Sequence, residues 1–350
     1  MAEFDGDSEP DTAFGDSTIT APIDTLPNEL IAHIFTMGST SEPIHVDGRT
    51  KRPLPFSLLV SSISRRWREA AISSPLLWSR LSFTADPLAN LWNAFLFLPR
   101  SGTHPLDIHI NPKSMERVLE IILPHRERWR TLCVIPWGEE ALALTLRAIR
   151  DISVPLLQHV EIIGPSGTLS QLLGLPQRHT SHTPCFQLGA PVLKSVSLYR
   201  ICTECGPPLA NLTAFIVDNK VTLSQRHLQS IVAASPALRI LRLRLRSFEG
   251  SGRGPIHIPS LRQLSLERCA SDGDVILLFA IIIVPALESL ELAYLSEICV
   301  SRLILHCTQS PGYPCLQTLK LFGLRNVTLS SYHALFALFP TVTSLSLLGV

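Results

Sequence analysis

VPALESLELA, Val284 to Ala293, sets Leu287, Leu290 and Leu292 in the order L-x-x-L-x-L. The last two leucines alternate with one intervening residue, which is the period of a strand. The same line recurs along most of the chain. It reads VPLLQHVEII from Val154, APVLKSVSLY from Ala190, LANLTAFIVD from Leu209 and SPALRILRLR from Ser235. It continues as IPSLRQLSLE from Ile258, YPCLQTLKLF from Tyr313 and FPTVTSLSLL from Phe339. Measured at the proline, or at Ala210 where proline is missing, the intervals are 36, 19, 26, 23, 26, 29 and 26 residues.

Most of these intervals fall in the range that leucine-rich repeats occupy. Between the strands lie stretches with helical character: Ser224–Ser235, Asp274–Ile283, Ser296–Gln309 and Ser331–Phe339. A strand and a helix cannot bury their own apolar faces, whereas stacked neighbours can. The regular asparagine of well-formed leucine-rich repeats is absent, so the repeats are degenerate. The 36-residue interval requires a loop, which Gly174–Gly189 supplies. Upstream, His104–Ile110 and Arg128–Ile135 read as two irregular strands, with Met115–Arg126 and Glu139–Arg150 as their helices. The expected C-terminal part is therefore an α/β leucine-rich-repeat-like solenoid of parallel strands and outer helices over residues 85–350.

The N-terminal region is written differently. Residues 1–22 hold six acidic side chains and no basic one, without periodicity, and read as a disordered acidic tail. In LPNELIAHIF, Pro27 suits a first helical position, and Leu26, Leu30, Ile34 and Phe35 recur at helical spacing. Pro53 and Pro55 precede a second helix in which Phe56, Leu59, Ile63, Trp67 and Ala70 share a side. Ser74-Pro75 then reads as the cap and first turn of a third helix carrying Leu76, Leu77 and Trp78. About 55 residues make a small core, so several of these apolar side chains are expected to stay uncovered.

Three segments together resemble an F-box: LP-x-E-L-x-x-x-I-F at Leu26–Phe35, S-RR-WR-x-A-A at Ser64–Ala71, and SPLLW-x-x-L at Ser74–Leu81. The form is similar to the F-box-like version abundant in mushroom-forming fungi. The resemblance covers roughly a sixth of the chain and implies an all-α three-helix module over residues 23–84. It departs from the pattern in a Pro- and Gly-bearing insertion over residues 38–55, and in Ser61, Ser62 and Ser64 where Cys or Val is common.

An F-box followed by a leucine-rich solenoid resembles the substrate-receptor subunits of SCF-type ubiquitin ligases. It implies docking on a Skp-type adaptor, and through it on a cullin–RING core, while the solenoid holds an unknown target protein. Such a subunit carries no catalytic residue; it raises the effective concentration of target near the conjugating enzyme. Carried over by position, the adaptor-facing residues are Leu26, Pro27, Leu30 and Ile34, followed by Leu59, Val60 and Trp78. Trp67 is assigned to the module's own core. The resemblance and the absence of a signal region imply an intracellular location, cytoplasmic, nuclear or both.

Repeat geometry selects the residues that line the concave strand surface: the one between the last two leucines and the one after them. These include Glu161, Tyr199, Asp218, Arg242 and Arg244, then Glu267, Glu291, Lys320 and Phe322. This mixed-charge face with two aromatic groups is read as the target-binding surface. Lateral pairs of Arg244 with Glu267 and of Glu291 with Lys320 are expected.

Other chemistry finds little support. Apolar residues are 46% and charged residues 17%, which requires a large folded core. The run Arg239–Arg246 offers cations for phosphate, yet it is one strand with no aromatic interleaving and acidic residues expected two strands to either side. Cys202-x-x-Cys205 has only His179, His182 and Cys185 nearby to complete a zinc set, in no common spacing. No P-loop, GxSxG, GxGxxG or HExxH occurs, so no cofactor, metal or catalytic set is expected. The longest apolar run, Val275–Val284, is about half a bilayer span and ends at Pro285, so no membrane partner is expected. A non-ligase interaction scaffold is the alternative reading, with a nucleic-acid binder using Arg239–Arg246 behind it.

Overall fold

The computed structural model describes residues 22–41, 54–165, 184–201, 203, 206–218, 222–250, 252, 254–267, 272–309 and 313–349. It divides into a helical unit, Met1–Leu77, and a second unit, Trp78–Val350. The boundary therefore falls several residues before the expected residue 85.

In the helical unit, α1 (Asn28–Thr40) follows Pro27, which sits at the cap and not at the first helical position. Ile31 and Phe35 point inward, and the Phe35 ring lies 5.0 Å from that of Trp67. The second expected helix is two helices, α2 (Phe56–Ile63) and α3 (Arg65–Ile72). Ser64 separates them because its backbone is extended (φ −149°, ψ 166°) and its hydroxyl accepts the Trp67 N–H at 3.1 Å, an N-cap. Arg66 ties α3 back to α1, donating to Asn28 Oδ1 at 3.0 Å and to the Leu26 carbonyl. The expected third helix is only a four-residue 3₁₀ turn, Pro75–Trp78. Helix α1 continues through Thr40, into the first part of the expected insertion; residues 42–53 of that insertion, and the tail over 1–21, lie outside the described residues.

The second unit opens with β1 (Arg80–Phe83), a strand inside the expected N-terminal module, and α4 (Pro87–Arg100), a helix the sequence pattern does not announce. It continues through β2 (Leu106–Ile110), α5 (Met115–Ile122), β3 (Trp129–Val134), α6 (Glu139–Ala148), β4 (His159–Ile163), β5 (Ser195–Tyr199) and β6 (Ala214–Asp218). Then come β7 (Thr222–Ser224), α7 (Gln225–Ala234), β8 (Ile240–Arg244), β9 (Ser247–Glu249), β10 (Ile256–His257) and β11 (Gln263–Glu267). The last elements are α8 (Asp272–Ile281), β12 (Ile282–Ile283), β13 (Ser289–Ala293), α9 (Glu297–Gln309), β14 (Thr318–Phe322), α10 (Leu329–Ala337) and β15 (Ser344–Leu348).

Among the described residues, eleven strands form one sheet in the order β1-β2-β3-β4-β5-β6-β8-β11-β13-β14-β15, every pairing parallel. Parallel neighbours need a crossover between them, and the helices provide it, as in a solenoid-like stack. Two short parallel pairs, β7 with β9 and β10 with β12, lie outside the main sheet.

The recurring proline has a local cause. In seven of the eight lines it is the second residue of a turn closed by an N–H to carbonyl bond of 3.1–3.2 Å, for example Leu287 to Val284 and Leu316 to Tyr313. Proline's fixed φ suits that position. In the eighth line Ala210 replaces proline, and Asn211 (φ 59°) takes a left-handed conformation instead. The leucine that closes the turn, such as Leu157, Leu238, Leu261, Leu287 and Leu316, is fully buried; the last line has half-buried Val342 there instead. Several strands are left through a left-handed residue, including Arg200, Tyr294 and Gly323. At Gly323 a Cβ would stand 2.7 Å from the Tyr294 ring, so a side chain there would have to displace that ring as well as accept a φ of 54°.

Polar side chains bind successive repeats. Glu297, at the start of α9, accepts from the Thr328 N–H at 2.9 Å and from the Ser331 hydroxyl, both at the start of α10. Buried Gln225 holds the segment before β10 by bonding the Gly254 carbonyl (2.8 Å) and the Gly252 N–H (3.2 Å). Hydrogen bonds from Ser331 and Thr328 hold the Glu297 carboxyl below its ordinary value of 4.5. Its contribution is therefore present above that value and fades as the pH falls through the depressed folded value. Glu297→Gln should lower the thermal midpoint near neutral pH, and the gap to the parent should narrow as the buffer becomes acidic, read by circular dichroism. Leu287→Ala should cost about 2–5 kcal/mol, because the stack leaves no room to collapse around the cavity, read by urea denaturation.

Candidate functional site

Along each strand the leucines point to one side and the residues between them to the other, so strand register fixes which open-face side chains are neighbours. The register is unbroken from β4 to β15. One row runs Glu161, Ser197, Ile216, Arg242, Ser265, Glu291, Lys320 and Ser346. The next runs Ile163, Tyr199, Asp218, Arg244, Glu267, Ala293, Phe322 and Leu348. All nine residues selected from the sequence for this face stand in these two rows. Toward β1 the first row continues as Cys133, His109 and Ser82, of which Cys133 and His109 are buried.

The charges meet laterally. Arg244 Nη1 lies 3.4 Å from Asp218 Oδ2 and 3.5 Å from Glu267 Oε2, bridging β6, β8 and β11. Arg242 Nη2 reaches over Ser265 to Glu291 Oε2 at 3.7 Å, while the Ser265 hydroxyl donates to Glu291 Oε1 at 3.2 Å. Glu291 thus pairs with Arg242, two strands away, and not with adjacent Lys320, which makes no ion pair among the described residues. The expected Arg244–Glu267 pair is present, and Asp218 joins it from the strand on the other side, so acids flank this basic strand directly and not only two strands away. Each such half-exposed pair is worth about 0–1 kcal/mol, so the network aims side chains more than it stabilises the sheet.

Burial raises the Glu267 carboxyl above its usual range, opposed by Arg244. Burial, followed by Glu161, raises the Tyr199 phenol and pushes the Cys133 thiol far up. These groups stay neutral or tightly paired, a poor arrangement for a nucleophile. Both guanidiniums of Arg242 and Arg244 already face carboxylates, which leaves little free cationic charge for phosphate.

On the helical unit, Leu30 is 50% and Ile34 44% exposed, and Leu59 and Pro27 are also exposed; Leu26 is half-buried. Val60 and Trp78 are corrected: both are fully buried and present nothing to a partner. In α2, Ser57 and Val60 point inward, whereas Leu59 and Ile63 point out. Trp78 belongs to the second unit, where its ring meets Phe97 edge-on at 5.1 Å and the Arg100 guanidinium stands 4.4 Å over it. The expected single apolar face of α1 is two faces, Ile31 and Phe35 inward, Leu30, Ile34 and Met37 outward. Met37, three residues beyond Ile34, joins this outward set although it was not among the expected adaptor-facing residues, and Ile63 stands exposed on the same side as Leu59.

Among the described residues no group of three or more His, Cys, Asp or Glu could hold a metal ion. Cys202, Cys205, His179 and His182 lie outside the described residues, and Cys185 is fully buried with its thiol pushed up by that burial. No described helix is long and apolar enough to cross a membrane. No family model matches the chain, and no curated protein matches it.

Alkylation should separate these thiols. Exposed Cys315 should react quickly in the native protein at mildly alkaline pH, and Cys133 and Cys185 only after denaturation, as read by peptide mass mapping.

Proposed function

We propose that this chain is the substrate-receptor subunit of an SCF-type ubiquitin ligase. Its helical unit is an F-box that docks on a Skp-type adaptor, which leads to a cullin–RING core. Its sheet, a run of degenerate leucine-rich repeats, holds a target protein. The observation that carries this reading is the outward apolar set on the helical unit: Leu30, Ile34 and Met37 from α1, with Leu59 and Ile63 from α2. A small unit that fills its core with Ile31, Phe35 and Val60 yet leaves these five large apolar side chains in water, and Leu54, Ile72 and Leu76 besides, has surface for a partner. Fully covering one such side chain contributes about 1.5–3 kcal/mol, so roughly half of that remains available at Leu30 or Ile34.

The open face of the sheet supplies the other half of the role. Its rows combine fixed charges, hydroxyls, Tyr199 and Phe322, chemistry suited to a protein surface. The subunit performs no bond-making step in this reading; it holds a target within reach of a ubiquitin-loaded enzyme. Leu30→Asp with Ile34→Asp should abolish co-purification with the Skp-type adaptor while leaving the far-ultraviolet circular dichroism unchanged, since both side chains are already exposed. Recovery equal to the parent overturns the assignment. Adaptor present but cullin absent at every purification step favours instead a non-ligase scaffold.

A further inference from the structure

Helix α4 carries a second apolar face, within the sheet unit. From Pro87 to Pro99 it contains no charged residue. Ala94 and Phe97 point inward against the sheet, with Asn90 folded back on the Thr84 backbone. The opposite side leaves Leu88 68%, Trp92 64% and Phe95 74% exposed. These three side chains, with Leu91, Leu98, Pro99 and, from α5, Ile121, line an open cavity of about 670 Å³.

We propose that this face is a homodimer interface, in which α4 packs antiparallel on α4 of a second copy. Three observations select a second copy as the occupant. An interface about a two-fold axis sets one face against itself, and here Trp92 and Phe95 stand up as walls of the open hollow that they share with Leu98 and Ile121, so each copy presents both relief and recess. A face without charge brings no like charges together when it meets itself. The area also suffices. Taking about 150–250 Å² for an aromatic side chain, Trp92 and Phe95 alone leave roughly 250 Å² uncovered. The neighbouring leucines and Pro99 bring each copy to roughly 500 Å², so a pair buries about 1,000 Å², the threshold for a specific interface.

The helix is also held in place before any partner arrives. Asp86 caps its first turn by accepting from the Leu88 and Ala89 N–H groups, and Arg100 stacks on Trp78 at its end. A fixed helix loses little freedom on association.

Sedimentation of the full chain over a rising concentration series tests the proposal. The parent should pass from monomer to dimer in the micromolar range and stop there, because a two-fold interface closes. Trp92→Glu and, separately, Phe95→Glu should each weaken the dimer at least tenfold. Both side chains are exposed, so unchanged circular dichroism is expected, and the parent's own concentration dependence reads the proposal without any variant. A parent that stays monomeric throughout, with α4 covered by another part of the chain or by a different partner, overturns it. So does a dimer that neither substitution weakens, or assembly that continues past two.

Discussion

A parallel strand in this protein has two requirements: a neighbour on each edge for its backbone, and cover for its leucine side. Between the edge strands β1 and β15 both are met by setting each strand down beside the last, from β4 onward in one register, and the turn ahead of the strand does this. Proline at its second position and a buried leucine two residues later locate the strand start, and slipping by one residue would turn every leucine outward. The spacing between successive lines varies from 19 to 36 residues, yet the strand pairing does not shift from β4 to β15. The variation is absorbed in the segments between strands, where Glu297 and Gln225 fasten one repeat to the next.

The open-face network follows from the same constraint. Arg244 meets Asp218 and Glu267 because register puts them in one row on adjacent strands. Arg242 reaches Glu291 because Ser265 between them is too short to block its path. Cations and anions hold one another in place at little net energy, so a ligand meets side chains that are already aimed. Exchanging one strand for another of different charge would re-aim its neighbours too.

Much of this was legible in the sequence where a single period governs. Alternation gave the strand positions and therefore both rows of open-face residues, because period two leaves only two choices of side. It failed where two periods overlap. In SPLLWSRLSF, Leu77 and Trp78 suit a helix end while Leu81 and Phe83 alternate as a strand, and the helical reading absorbed β1 and with it the start of the sheet. The break at Ser64 was equally hidden, since its hydroxyl serves as a cap only once the chain turns there. Which apolar side of α1 or α2 faces inward depends on where its neighbours lie. Hence Val60, expected to face a partner, is buried, and Trp78 lies in the second unit. The partners of Arg242 depend on side-chain reach, which spacing does not encode.

Alternation along the strands has a consequence for how such a chain can change over generations. Leu290, Glu291 and Leu292 are consecutive, yet the outer two answer to the core and the middle one to whatever approaches the sheet. The two sets of positions are interleaved in sequence but separated by the thickness of the sheet. A substitution in the open-face set leaves the leucine side untouched, and each repeat can be edited with little effect beyond its immediate neighbours. A lineage could therefore explore new ligands one strand at a time while the scaffold drifts hardly at all.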